Sequence, residues 1–189
     1  MQAPGRPARG AHVITHARNA GKGACIREGF RYFLENTECE AAVIMDGDGQ
    51  HSVDDIGVFC GRLEQGSCDM LVGNRMSETR NMPFMRLCTN AFMSFLLSLI
   101  CGQKVPDTQC GFRLVTRKVI QSLSLDSSNY ETESEMLVDA SRKGFRITSV
   151  PIETVYSGEK SNIHPVKDTI RFFVLVSRLL LKPGRRHIK

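Results

Sequence analysis

Residues 41–55 read AAVIMDGDGQHSVDD, from Ala41 to Asp55, and their order decides how the rest of the chain is interpreted. Ala41, Ala42, Val43, Ile44 and Met45 form an unbroken apolar run with glycines beyond it, which suits a strand buried on both faces of a parallel sheet. In open α/β sheets ligands bind outside the carboxyl ends of the strands, and Asp46 and Asp48 fall at that end. Two carboxylates on a turn loosened by Gly47 and Gly49 can reach one hard cation, with the Gln50 amide oxygen as a further ligand. The same residues also suit an Asp/Gly turn whose side chains cap local backbone. A calcium loop of the EF-hand type fails, because His51 stands where that loop requires Gly and Gly57 where it requires Glu.

Upstream, His12, Val13 and Ile14 suit a short strand. Asn19-Ala20-Gly21-Lys22-Gly23 then leads into a helical spacing at Ile26, Phe30, Phe33 and Leu34. Glycines before a helix start, with a lysine, suggest an anion site built on free backbone N–H groups. This is not a P-loop: His16 replaces its first glycine, and Gly23 replaces the Ser or Thr after Lys22. Downstream, Ser52 is placed to cap a helix with Asp55, whose stripe is Ile56, Phe59, Cys60 and Leu63 and whose end falls near Gly66. Asp69 to Gly73 predicts the next strand, with Asn74 and Arg75 at its carboxyl end. Phe92, Phe95, Leu96, Leu99 and Ile100 predict a helix buried on most sides and too short to span a bilayer, which needs about 20 residues. Tyr130 to Gly144 predicts another helix, with Met136, Leu137 and Ala140 on one face and early glutamates suited to a positive N-terminus. A strand over Phe145 to Val155 follows.

The 189 residues suffice for one sizeable core, and 41% hydrophobic with 24% charged residues fits a soluble globular domain. A formal charge of +5 suits an anionic ligand or membrane surface, and no nucleic-acid motif accompanies it. Seven cysteines without a C-x-x-C pair indicate neither a zinc site nor a disulfide framework and point to a reducing cytosol. Residues 1–10, rich in Pro, Gly and Arg, are expected to be disordered and lack the apolar core of a secretory signal. In the tail, Lys167, Arg171, Arg178 and Lys182 share one helical stripe, opposite Ile170, Phe173, Val176 and Leu180. That pattern fits a basic amphipathic helix in a membrane interface, and equally one packed on the domain.

Several segments together resemble family-2 glycosyltransferases with the GT-A fold, especially the branch of dolichyl-phosphate mannose and glucose synthases. MDGDGQHSVDDI (45–56) resembles that family's metal-binding segment, NAGKG (19–23) its N-x-G-K-G segment, and VGNR (72–75) its G-S-R segment. MPFMRLCTNAF (82–92) is similar to a segment facing the acceptor phosphate, PDTQCGFR (106–113) to D-x-x-C-G-F-R, YETE (130–133) to an acceptor-side Y/F-E-x-E segment, and YSGEKSN (156–162) to a loop over the donor diphosphate. The resemblance implies an α/β fold: a single GT-A (Rossmann-like) domain over residues 11–164 with a mostly parallel sheet, lacking the first βαβ portion, and a helical tail at 165–189. It further implies Asp46, Asp48 and Gln50 at a Mg²⁺ or Mn²⁺ ion, and Asn19, Gly21, Lys22, Asp46, Lys160 and Ser161 at the donor. Arg75, Arg86, Asn90, Glu131 and Glu133 fall to the acceptor, with Asp107 and Arg113 as catalytic residues. The implied reaction is inverting transfer of a sugar from a UDP- or GDP-linked donor to a polyprenyl phosphate, dolichyl or undecaprenyl, at the cytoplasmic face of a membrane. A soluble sugar or protein acceptor, and an inactive nucleotide- or membrane-binding module, are the alternatives.

Overall fold

The computed structural model describes residues 10–66, 68–77, 82, 84–129, 131–153, 174, 176 and 177. Helix α1 (Lys22–Asn36) is entered through Gly21 at φ 86°, a left-handed conformation that glycine holds without strain. Its spacing buries Ile26 and Phe30, with Phe33 and Leu34 packed at the edge of the same core. The strand expected at His12–Ile14 does not form. That stretch is irregular, and Val13 and Ile14 are exposed, with no neighbouring strand among the described residues to take up its backbone groups.

Strand β1 (Ala41–Ile44), helix α2 (Asp55–Glu64) and strand β2 (Met70–Asn74) follow in turn. Helix α2 starts later than its expected Ser52 cap, because the Ser52 hydroxyl instead accepts the Asp54 N–H at 3.2 Å. A 3₁₀ turn (Arg75–Ser77) leads towards helix α3 (Phe84–Cys101), then strand β3 (Arg113–Thr116), short helix α4 (Arg117–Ser122), helix α5 (Glu131–Arg142) and strand β4 (Ile147–Pro151).

The strands make one sheet in the order β1-β3-β2-β4. β2 and β4 are parallel, whereas β3 runs antiparallel to both β1 and β2. β1, β2 and β4 therefore point the same way, and their carboxyl ends share one edge of the sheet. The sheet is mixed rather than mostly parallel because β3 inserts between β1 and β2 in the opposite sense. Leu114 and Val115 of β3, with Met70, Leu71 and Val72 of β2, are fully buried. They meet Met136, Leu137 and Ala140 of α5 and the stacked rings of Phe59 and Phe112, 4.6 Å apart, in one core. Each such side chain contributes about 1.5–3 kcal/mol through burial. β1 is not buried on both faces as expected. It pairs only with β3, no strand covers its other edge among the described residues, and Val43 is exposed.

Helix α3 also departs from expectation. Its inward side is polar: Asn90 and Ser94 are buried, and the Ser94 hydroxyl accepts the Thr108 N–H at 2.9 Å. The Ser98 hydroxyl accepts the Val105 N–H at 3.0 Å. The segment behind the helix presents backbone donors that require polar partners. Phe92, Phe95 and Leu99 accordingly face outward. Leu97 and Val138 of α5 form a small second core, against which Val176 packs. The remainder of the expected C-terminal helix lies outside the described residues, as do Lys160, Ser161 and residues 1–9.

Strand register determines what meets at the shared edge. Arg113 lies opposite Ile44 on one side and Val72 on the other. The 107–112 loop is thereby threaded between Asp46, just beyond β1, and Arg75, just beyond β2, and the Gly73 N–H donates to the Phe112 carbonyl at 2.9 Å.

Candidate active site

Three elements converge on one lysine. Lys22 opens α1, Asp46 follows β1, and Glu133 lies in the first turn of α5. The Lys22 Nζ is 2.6 Å from Asp46 Oδ1 and 2.9 Å from Glu133 Oε1. Burial works against the ammonium, yet Glu133 and Asp46 together outweigh it and hold the Lys22 pKa above the ordinary lysine value. Glu133, expected on the acceptor side, is therefore placed with Lys22 and Asp46. Glu131, at the start of α5, is half-buried.

The other Asp46 oxygen, Oδ2, is 4.0 Å from Nε2 of His51, whose side chain is 4% exposed and whose ring packs on Phe112. Burial keeps the His51 pKa below its usual value, which leaves the imidazole neutral at pH 7. Asp48 is exposed, and its Oδ1 accepts the Gln50 N–H at 3.0 Å, so the turn-capping role and a free approach from solvent coexist there. Gln50 is half-buried. A cleft of about 370 Å³ between α1 and β1 is lined by Lys22, Ile26, Phe30, Val43 and Asp46, among others.

The anion cradle expected at NAGKG is largely spent on the protein itself. The Gly21 N–H donates to Asn19 Oδ1 at 3.0 Å, and the Gly23 N–H to the Ser128 carbonyl at 2.9 Å. Asn19 and Gly21 thus shape the entry to α1, and the charge at this position comes from the Lys22 side chain.

Arg75, expected at the acceptor, and Arg113, expected to be catalytic, are instead buried in the scaffold. Arg75 forms a fork on Asp107, with Nε to Oδ2 at 2.8 Å and Nη2 to Oδ1 at 3.0 Å, and its backbone N–H donates to Oδ2 at 3.1 Å. Burial opposes its charge, but Asp107 more than restores it, and its pKa is raised. Asp107, fully buried and committed to this pair, is not placed to act as a base. Arg113 is likewise fully buried and donates to three carbonyls, Cys110 at 2.9 Å, Glu133 at 2.6 Å and Thr108 at 2.8 Å. Its partners are backbone carbonyls, which ties the 107–112 loop to the first turn of α5. Between them, burial pushes the Cys110 thiol up to about 11, which keeps it protonated. On α3, Arg86, Asn90 and Ser94 succeed one another a turn apart on the side that meets Thr108; Asn90 is buried and Arg86 half-buried.

Among the described residues no three or more His, Cys, Asp or Glu gather in a group that could hold a metal ion. Magnesium-type cations do not need one, since they are commonly held by one or two carboxylates plus water and substrate phosphates. Asp46 and Glu133 set two carboxylates on the ammonium of Lys22, which sits on Asp46 as a cation would, and Asp48 is exposed two residues further on. These residues fit a hard divalent ion completed by a diphosphate.

The sequence reading passed over two residues here, His51 and Gly111. A Cβ on Gly111 would overlap Asp46 Oδ2 and lie 2.9 Å from Lys22 Nζ, so both side chains would have to move aside for it. Gly111→Ala is expected to displace the Asp46 carboxylate and weaken Mn²⁺ binding by about tenfold or more in calorimetric titration. Unchanged affinity in that variant would show that Asp46 does not receive the ion.

Residues 7–124 match the family model described as Glycosyl transferase family 2. The chain belongs to this family. As a family 2 member it is 33% identical over 178 residues to the UDP-N-acetylglucosamine–dolichyl-phosphate N-acetylglucosaminyltransferase of Methanococcus voltae, covering 92% of the chain and 70% of that relative. It is 28% identical over 148 residues to a dolichyl-phosphate beta-glucosyltransferase of Trichomonas vaginalis, covering 75% of the chain but 45% of that protein. Glucosyl-3-phosphoglycerate synthase from Mycobacterium tuberculosis, solved with Mn²⁺, uridine-diphosphate and phosphoglyceric acid, superposes with a TM-score of 0.62 at 16% identity over 87% of this chain and 56% of its own. The fold of this family 2 chain is accordingly GT-A-like, and the chain spans about half the length of the latter two proteins.

Proposed function

We propose that the chain carries the site of a metal-dependent, inverting glycosyltransferase that moves a sugar from a UDP- or GDP-linked donor to a polyprenyl phosphate at the cytoplasmic face of a membrane. The observation that carries this reading is Asp46, ion-paired to Lys22 at 2.6 Å at the carboxyl end of β1 and two residues before the exposed Asp48. Two relatives named for transfer to dolichyl phosphate support the acceptor class, and a structural neighbour solved with Mn²⁺ and uridine-diphosphate supports the metal and the donor.

Asp46 and Asp48 would hold Mg²⁺ or Mn²⁺, with Gln50 beside them; the bound ion supplies positive charge to the departing diphosphate. Lys22 adds a second positive charge on the same side, kept ionised by Glu133 and Asp46. His51, neutral and packed on Phe112, borders the other Asp46 oxygen at 4.0 Å without adding charge. Lys160 and Ser161 remain proposed donor contacts from the sequence alone.

The fate of Asp107 bears on the acceptor. A hydroxyl acceptor needs a general base, and the carboxylate nominated for that task is buried and forked onto Arg75. A phosphate acceptor is already an anion and needs positioning, for which half-buried Arg86, with Asn90 below it, is better placed than Arg75 or Arg113. Glu131 remains a candidate on the same side.

Asp48→Ala is expected to abolish metal-dependent transfer from nucleotide sugar to polyprenyl phosphate while leaving the thermal midpoint close to that of the parent, since Asp48 is exposed. Radiolabel transfer into the lipid phase measures this, and full activity in the variant would end the proposal.

A further inference from the structure

Glu135 is a buried carboxylate to which the proposed reaction gives no part, and it stands two residues beyond the Glu133 that pairs with Lys22. One of its oxygens, Oε2, accepts the backbone N–H groups of Asp126 at 3.1 Å and Ser127 at 3.0 Å and the Ser127 hydroxyl at 2.6 Å. Three donors on one anionic oxygen hold the irregular segment that precedes α5 against that helix. The next residue carries the hold to α1, because the Ser128 carbonyl accepts the Gly23 N–H at 2.9 Å. No side chain among the described residues caps α1, and its first turn holds no acidic residue, so this carbonyl answers one of the donors that a helix start leaves open. Gly21 and Gly23 permit the approach. A Cβ on Gly21 would overlap the Ser128 carbonyl oxygen, and one on Gly23 the Thr132 hydroxyl. Lys22 stands between those two glycines.

We propose that Glu135 is a positioning residue of the donor site, which fixes the start of α1 through the 126–128 segment and thereby sets where the Lys22 ammonium stands. The inference rests on the reading of Lys22 as a charge that meets the donor diphosphate. A lysine carries its charge on a flexible four-carbon stem, so the head is placed only as well as its partners and its backbone are placed. Asp46 and Glu133 hold the head, and the contacts of Gly21 and Gly23 with the 127–132 stretch hold the backbone. Helix α5 therefore acts on both ends of the lysine, with Glu133 directly and with Glu135 through the segment it ties down. A positive charge already in place costs no reorganisation when the diphosphate departs. Asp139, one turn further along α5, provides the contrast. Its carboxylate accepts the Ser124 N–H at 2.8 Å and pairs with Lys143 at 2.7 Å, so it fastens the same segment further from α1 and serves the fold alone.

Amide hydrogen exchange on the nucleotide-free chain reads the first step. Glu135→Ala is expected to speed exchange at Gly23 by roughly tenfold or more, whereas Asp139→Ala leaves it within about twofold, although both lower the thermal midpoint. Calorimetric titration in Mn²⁺ with UDP or GDP, whichever the parent binds, reads the second. Glu135→Ala and Lys22→Met should each weaken binding by roughly tenfold, and the double variant should be no weaker than Lys22→Met alone, because the two residues act in one chain of contacts. Glu135→Gln keeps an oxygen for the three donors without its charge and should show an effect of roughly threefold in both measurements, so it carries the test if the alanine variant does not fold. Parent-like exchange at Gly23 in the Glu135 variants would overturn the proposal. So would equal acceleration by Asp139→Ala, or losses of affinity that add in the double variant. A Lys22→Met chain that binds as tightly as the parent would remove Lys22 from the donor site and the role of Glu135 with it, and the exchange data would still show whether Glu135 holds the start of α1.

Discussion

Changing Asp107 to alanine is expected to lower the unfolding free energy by about 3–5 kcal/mol, because it leaves the Arg75 guanidinium buried without its counter-charge. The pair is enclosed, and Asp107 also takes the Arg75 backbone N–H, so no water replaces the lost oxygens cheaply. For a domain of this size that corresponds to roughly 10 °C in thermal midpoint. Replacing both partners, Arg75→Met with Asp107→Leu, should be less damaging than Asp107→Ala alone, since no uncompensated charge remains. A catalytic base would behave differently: Asp107→Ala would then melt near the parent temperature and lose only turnover. Differential scanning calorimetry on the three proteins separates these outcomes.

Arg113→Met should be at least as severe. The side chain satisfies the carbonyls of Thr108, Cys110 and Glu133, and its loss strands three buried acceptors, for a penalty of about 4 kcal/mol or more. Arg113→Lys is expected to recover little, because one ammonium cannot reproduce the planar fork that spans three carbonyls. Loss of the Glu133 anchor would also loosen the first turn of α5 that brings Glu133 to Lys22. Chemical denaturation measures the stability term. A variant that unfolds at the parent denaturant concentration yet fails in transfer would return Arg113 to the catalytic role implied by the family resemblance.

These two arginines mark the limit of what the sequence discloses. Periodicity located α1, β2 and α5 because their apolar residues enter the core, and located α2 although only Phe59 of its expected stripe is buried and Cys60 is exposed; the acidic turn after Met45 was legible because strand exits are where such turns collect ligands. Strand β3 was not foreseen. Its four residues carry too little pattern to reveal direction, and its antiparallel insertion depends on partners distant in the chain. That insertion brings the 107–112 loop between Asp46 and Arg75, so the pairing of Arg75 with Asp107 and the carbonyl-bound state of Arg113 were hidden with it. The apolar content of α3 was visible, but the side it faces depends on the Thr108 and Val105 N–H groups that claim Ser94 and Ser98. His51 lies in the acidic turn itself, where its sequence position alone gives no sign of what its ring packs against. Its packing on Phe112 and its distance from Asp46 required the fold.

The central claim is that the acidic turn beyond β1 grips a divalent ion that holds the donor's diphosphate. Titration calorimetry of UDP and of GDP, each with and without Mn²⁺, on the parent and on Asp48→Asn tests it most directly, because Asp48 is exposed and its replacement leaves the core untouched. The account predicts binding of at least one nucleotide by the parent only when Mn²⁺ is present, and its loss in Asp48→Asn. Nucleotide binding of equal strength without the metal, or undiminished in the variant, would contradict it.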